Sequence, residues 1–252
     1  MKIKLVNLAM LALALLSFNL ASASTADSTA NVEKQKESIE VYHRALKYND
    51  LGTAATALTH FLHAGGDPIY QDSLAIIFYN LNNMSGAYKL ANELYTLNNK
   101  NETALTLLAD ISGRGGETKI SLEWYEKLCA LNPSPFNYYQ LGSKQFVLER
   151  KLECRQSLQK VLADSAQAVK QLVSLEVNNG YFEQVPVLAA SYNMLAVLAF
   201  QDKKTAEAEA LYKKAIEIAP NFVIAKQNLE GMKTKSASKS ATKTGPSAKS
   251  KE

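Results

Sequence analysis

Residues 192–220 read YNMLAVLAFQDKKTAEAEALYKKAIEIAP. Tyr192, Leu195, Ala196 and Ala199 fall on one face of a first helix, and Ala208, Tyr212 and Ala215 on one face of a second. Gln201-Asp202-Lys203 supplies the turn between them. Small Ala196 and Ala208 let the two backbones approach closely, while Tyr192, Leu195 and Tyr212 fill the space around that crossing. Pro220 cannot continue a helix and ends the pair. One such pair occupies about 34 residues, the period of a helical solenoid, in which each pair buries its apolar face only against its neighbours.

The same register recurs upstream. Leu105, Leu108, Ala109, Tyr125, Leu128 and Pro133 repeat the pattern, with Ser121 at the small crossing position. Leu74, Ala75, Phe78, Ala87, Ala91 and Leu94 form an earlier unit. Tyr138, Leu141, Gly142, Cys154, Leu158 and Val161 form a later one. A weaker unit, Val41, Ala45, Ala54, Leu58 and Phe61, opens the folded part. Repeat starts near 35, 68, 102, 135 and 189 give steps of 33 or 34 residues, except for the last, which is 54. Segments rich in Asn, Asp and Gly at 49–52, 82–86 and 113–116 fit tight turns within a unit. Gly65-Gly66-Asp67-Pro68 and Asn132-Pro133-Ser134-Pro135 fit links between units. Residues 221–232, with Ala225 and Leu229 on one face, read as a closing helix that shields the last repeat.

The long step places an insertion at about 167–187. Val173 to Val177 alternates apolar and polar residues, Asn178-Asn179-Gly180 follows, and Tyr181 to Val187 comes next. Alternation flanking Asn-Gly signals a β-hairpin. The rival reading is a helix over 166–177 ended by the Asn-Gly, with Pro186 starting the next one.

The unit at 192–220 resembles the tetratricopeptide repeat family, whose pattern runs Trp-x2-Leu-Gly-x2-Tyr, then Ala, Phe and Pro. Tyr192 stands for the Trp, Ala196 for the Gly, Ala199 for the first Tyr and Tyr212 for the Phe. The resemblance implies an all-α fold, a right-handed α-solenoid of about five helix pairs plus a C-terminal capping helix; the alternation around Asn-Gly adds the expected small β-hairpin insertion before the last repeat. It also implies a concave groove lined by the first helix of each unit, which receives a peptide or helix of a partner protein. Carried over residue by residue, Asp72, Ile76, Tyr79, Asn80, Tyr139, Ser143, Phe146, Asn193 and Phe200 face that groove. Ile39, His43, Thr106, Asp110 and Val197 occupy matching positions. Phe146, Val197 and Phe200 equally suit packing on a neighbouring helix. Family members that clamp carboxylate-ended peptides carry a run of basic groove residues. Here Lys47 and Arg114 are the cations expected nearby, which argues against that activity.

The chain ends frame the solenoid. Lys2 and Lys4 precede an apolar stretch from Leu5 to Leu20, and Ala21-Ser22-Ala23 offers a small-x-small cleavage site. Residues 1–23 therefore read as a signal peptide of bacterial type, and the mature protein is expected in the periplasm or beyond. The alternative, an uncleaved anchor, is disfavoured because the apolar run falls short of a span of about 20 residues. No cysteine follows to carry a lipid. The expected organisation is a flexible linker at 24–33, a solenoid at 34–232, and a disordered tail rich in Lys and Ser at 233–252. That tail solubilises the chain or makes weak electrostatic contact with an anionic envelope surface.

Of 252 residues, 47% are hydrophobic and 21% charged, with a net charge of +4, a mild balance that gives no nucleic-acid-binding signature. Cys129 and Cys154 are too few for a disulfide framework. Export favours oxidation, so two buried thiols and a single disulfide both stay open. His43, His60 and His63 have no cysteine or carboxylate pattern around them that makes a metal site. Gly113-x-Gly115-Gly116 lacks the preceding strand and following Lys of a phosphate-binding loop. Glu40, Glu93, Glu102, Glu123 and Glu126 read as solvated helix faces. The expectation is a non-enzymatic binding scaffold without cofactor or metal, holding a protein or peptide partner. The alternative is a structural subunit of an envelope assembly that makes contact through the hairpin or the tail.

Overall fold

The computed structural model describes residues 29–178 and 180–243. The expected signal peptide at 1–23 and the end of the tail, 244–252, lie outside them. Paired helices run through the described chain: α1 (29–47) with α2 (Leu51–His63), α3 (Tyr70–Asn80) with α4 (Met84–Leu97), and α5 (Glu102–Arg114) with α6 (Thr118–Leu131). There follow α7 (Pro135–Val147) with α8 (Lys151–Ala163), short α9 (Ser165–Ala168), β1 (Leu172–Asn178), β2 (Tyr181–Pro186), α10 (Val187–Gln201) with α11 (Thr205–Ile218), and α12 (Val223–Lys243). This is the expected five-pair architecture with a capping helix and an insertion before the last pair. The chain forms two compact units, divided at Leu108/Ala109.

One turn geometry closes all five pairs. Two residues before each second helix, the backbone enters the left-handed region, at Asn49, Asn82, Gly116, Glu149 and Lys203. In each case the next amide reaches back five residues and the left-handed residue's own amide reaches back three. Asp50 N–H donates to Ala45 O at 2.9 Å and Asn49 N–H to Leu46 O at 3.0 Å. Arg150 to Gln145 and Lys204 to Ala199 repeat the longer bond at 2.9 and 3.0 Å. This pairing, the Schellman motif, satisfies carbonyls that a helix end leaves open. Asp50 and Asn83 then cap the following helices through bonds from Thr53 and Gly86 amides, each at 3.0 Å.

The residues at the helix crossings are small and sealed. Ala54, Ala87, Ser121, Cys154 and Ala208 are each 0% exposed. Buried Ser121 keeps its hydroxyl satisfied by donating to Ala109 O at 2.7 Å. Around Cys154, Leu158 and Val161 are equally sealed, and full burial of such a side chain contributes about 1.5–3 kcal/mol. In the first pair Ala45, Ala54, Leu58 and Phe61 are buried as expected, but Val41 is exposed and Tyr42 is buried beside it. Tyr42 belongs inside because its ring meets Tyr70 edge-on at 5.9 Å, and Tyr70 meets Phe61 at 5.2 Å. Gly66 is forced by the same cluster, since a Cβ there would lie 2.4 Å from the Phe61 ring.

The insertion is a hairpin and not a helix. β1 and β2 pair antiparallel, Val173 opposite Val185 and Leu175 opposite Glu183, with an irregularity between Glu176 and Asn178. Gly180 adopts φ +88 at the turn. Val173 and Val185 are buried in one cluster with Ala168, Val187, Leu188 and Phe222 of the second unit. Both cysteines are buried free thiols. Two boundaries differ from expectation. Helix α1 already covers residues 29–33, which were expected to be linker. Helix α12 continues to Lys243, so the first eleven residues of the expected disordered tail are helical.

Candidate functional site

In the first unit, Asp72, Ile76, Tyr79 and Asn80 share one face of α3, while Leu74, Ala75 and Ile77 fill the core from the other. Ile76 is 42% exposed, Asn80 is exposed, and Asp72 and Tyr79 are half-buried. Asp72 is held in place: Asn101 Nδ2 donates to its Oδ1 at 2.9 Å. This places an apolar side chain between polar ones on an accessible strip. A separate cavity of about 420 Å³ lies between α1 and α2, lined by Glu37, Ser38, Val41, Thr53, Thr56 and His60 among others.

In the second unit, Ser143 and Phe146 on α7 and Val197 and Phe200 on α10 are half-buried. Phe146 packs against the cluster containing Leu158 and Leu198. Val197 and Phe200 pack against Ala196, Ala199 and Tyr212. Each therefore serves core and surface together. Phe146 also lines a cleft of about 330 Å³ with Val147, Glu149, Lys151 and Gln201. Val147 is 62% exposed. The cleft is lined mainly by polar groups, a carboxylate, an ammonium and an amide, with Phe146 and Val147 as its apolar part, which suits a polar segment carrying one apolar side chain.

Two residues expected on the groove are turned inward. Tyr139 is 4% exposed and belongs to the cluster of Cys154, Leu158, Ala168 and Val185; burial pushes its phenol pKa up. Asn193 is 9% exposed, and Asn228 Nδ2 of the capping helix donates to its Oδ1 at 3.0 Å. The insertion and the capping helix bring apolar and amide partners to these positions, so neither side chain is offered to a ligand.

The expected groove positions do not include Val147, Glu149, Lys151 and Gln201: Val147 and Gln201 end the first helices α7 and α10, Glu149 lies in the turn, and Lys151 opens α8. A signal was present, since Val147 falls one position after Phe146 and Gln201 one after Phe200. Lys151 and Lys144 also add cations to the expected pair. Lys144 is half-buried, with its ammonium 5.9 Å from the Tyr125 ring centre; desolvation lowers its pKa, opposed by Asp110. Arg114 is engaged by Asp110 at 2.9 Å. A second exposed apolar surface lies at the hairpin tip, where Tyr181 and Phe182 are 61% and 56% exposed. They border a cavity of about 390 Å³ closed by Ala219, Pro220, Asn221 and Phe222. Among the described residues no group of three or more His, Cys, Asp or Glu could hold a metal ion, and no helix is long and apolar enough to cross a membrane.

Residues 189–222 match the tetratricopeptide repeat family. Over most of its length the chain is similar to a tetratricopeptide repeat protein from Parabacteroides merdae. That match has 20% identity and a TM-score of 0.64 over 83% of this chain and 77% of the other. It is also similar to MamA from Desulfovibrio magneticus RS-1, with 16% identity and a TM-score of 0.60 over 75% and 97%. A third similar structure is PilW, a type IV pilus biogenesis factor, with 17% identity and a TM-score of 0.53 over 67% and 70%. No curated protein sequence matches the chain.

Proposed function

We propose that this chain, a tetratricopeptide-repeat solenoid, is a non-enzymatic scaffold of the bacterial envelope that binds a peptide or helix of a partner protein on its first-helix faces. The observation that carries this reading is the cleft at Phe146 and Val147. An exposed valine beside a half-buried phenylalanine, rimmed by Glu149, Lys151 and Gln201, is not needed by the core. It has the form of a small anchoring pocket, in which one buried side chain supplies affinity and the rim supplies specificity. Ile76, Tyr79 and Asn80 form the corresponding strip of the first unit. Export rests on Lys2, Lys4, the apolar run and Ala21-Ser22-Ala23. Fractionation of cells together with N-terminal sequencing of the mature protein tests it.

Val147→Asp tests the cleft, because a residue so exposed tolerates a charge without unfolding the helix. Capture from an envelope extract should lose the partner that the unaltered protein retains, with the helical circular dichroism spectrum unchanged. Retention of the same partner at the same yield would refute the cleft as the binding surface. A second reading, a structural subunit contacting its assembly through the hairpin or the basic C-terminal segment, is favoured by the exposure of Tyr181 and Phe182. Phe182→Ser and truncation after Lys235 separate the two: the partner survives both under the first reading and is lost under the second.

A further inference from the structure

The insertion presents three acceptor groups, and they meet the N-termini of three different helices. Gln171, which precedes β1, accepts at Oε1 from the Phe136 amide of α7 at 2.9 Å. Its main-chain oxygen accepts from the Val187 amide of α10 at 2.8 Å. Glu183 in β2 accepts from the Val223 and Ile224 amides of α12 at 2.9 and 3.1 Å. All four amides belong to first helical turns, where no carbonyl of the same helix is available to them. Pro186, at the N-cap of α10, makes no side-chain capping bond. Phe222, which precedes α12, is fully buried and its side chain has no polar group to cap the helix. Glu183 fills that role from a distance in sequence, and its charge suits the positive end of the α12 dipole.

We infer that the insertion is a strap that fixes α7, α10 and α12 in register and sets how often α12 opens from the end of the solenoid. A two-stranded hairpin alone is marginal in water, and this one is tied down twice. Val173 and Val185 bury one face of it in the core of the second unit, and its acceptors hold the helix ends. α7, α10 and α12 are the first helices of the last two pairs and of the cap, so the strap acts on the same elements that carry Phe146 and Phe200. It therefore governs the spacing of the binding face without contributing a side chain to it.

Hydrogen exchange of the full chain, resolved by residue, tests this. In Glu183→Ala the Val223 and Ile224 amides and the rest of α12 to Met232 should exchange about tenfold faster, the effect of a lost N-cap, while amides in the middle of α8 keep their rates. Gln171→Ala should speed Phe136 but not Val187, whose acceptor is main chain and survives the substitution. The strap is refuted if α8 and α12 accelerate together in Glu183→Ala, which is general destabilisation, or if neither changes. It is refuted equally if Val187 accelerates as much as Phe136 in Gln171→Ala. These readouts do not involve a partner, so they stand apart from the binding experiment at Val147.

Discussion

Glu149 and Lys203 hold the left-handed position of their turns at φ 58 and 63, where a Cβ crowds the backbone at a cost of about 1–2 kcal/mol. The equivalent position is Gly116 in the third pair and Asn in the first two, residues that tolerate this region. Glycine at 149 or 203 removes the crowding but frees the unfolded chain by about 0.5–1 kcal/mol. The net gain expected of Glu149→Gly or Lys203→Gly is therefore about 0.5–1 kcal/mol each, a rise of roughly 1–4 °C in Tm for a chain of this size. Gly116→Ala gives the converse. Nothing lies within 4 Å of a Cβ built there, so the whole loss of about 1 kcal/mol is backbone strain. Urea unfolding followed by circular dichroism measures all three. Glu149→Gln is the control, because it removes the charge and keeps the strain, and it should leave stability unchanged. If Glu149→Gln stabilises as much as Glu149→Gly, charge and not backbone conformation is responsible, and the turn argument fails. If neither glycine variant exceeds the unaltered protein, it fails as well.

Gly66→Ala should destabilise the first unit by about 1–3 kcal/mol, because its Cβ would overlap the Phe61 ring; the same urea series reads it. Leu158→Ala should cost about 2–5 kcal/mol, since a fully sealed side chain leaves a cavity behind. Cys129 and Cys154 should resist alkylation in the folded protein and react on unfolding, which mass spectrometry of labelled protein detects. Burial pushes both thiols from 9.0 up to about 12. Because the folded pKa is the raised one, full stability persists below the unfolded value and falls between pH 9 and about 12. Each thiol contributes a slope of at most about 1.4 kcal/mol per pH unit. Replacing both cysteines with alanine should flatten that alkaline decline, and an unchanged slope would show that other groups cause it.

The fold was legible because its repeat is written in small residues. Ala54, Ala87, Ser121 and Cys154 recur at steps of 33 or 34 residues, Ala208 follows after the longer step that holds the insertion, and chemistry as different as a hydroxyl and a thiol serves one steric role. The hairpin was legible from alternation around Asn-Gly. The turn of the fourth pair was not, because Val147, Leu148, Glu149 and Arg150 contain no Gly, Asn, Asp or Pro. There tertiary packing enforces a conformation that local preference resists. Tyr42 was passed over because an aromatic residue stands where other units have Ala or Gly, and only the Tyr70 and Phe61 rings explain its burial. The bonds of Gln171 and Glu183 were beyond a sequence reading for a different reason. Their donors are main-chain amides 35 to 41 residues away, and no side-chain pattern marks such a donor.

The burial of Tyr139 and Asn193 narrows the binding face in a definite direction. Tyr139 lies in the second turn of α7, near the end where the strap's acceptor meets Phe136, and Asn193 holds the matching position near the middle of α10, covered by Asn228 of the capping helix. Phe146, Val147 and Gln201 lie at the opposite ends of the same helices and remain accessible. In the first unit, where no insertion precedes α3, Asp72 holds the position matching Tyr139 and stays half-exposed. The insertion thus coincides with the loss of ligand-facing positions at one end, and the cleft at 146–151 forms at the other. Thirteen residues of α7 separate these ends by roughly 20 Å, too far for a strap residue to touch a bound side chain. Tyr139→Ala should therefore behave as a core truncation, costing about 3–5 kcal/mol in the manner of other buried aromatics. At temperatures where the variant stays folded, it should retain its partner with the yield of the unaltered protein. Loss of the partner from folded Tyr139→Ala would mean that the ligand reaches the strapped end, and the division of labour along these helices would be wrong.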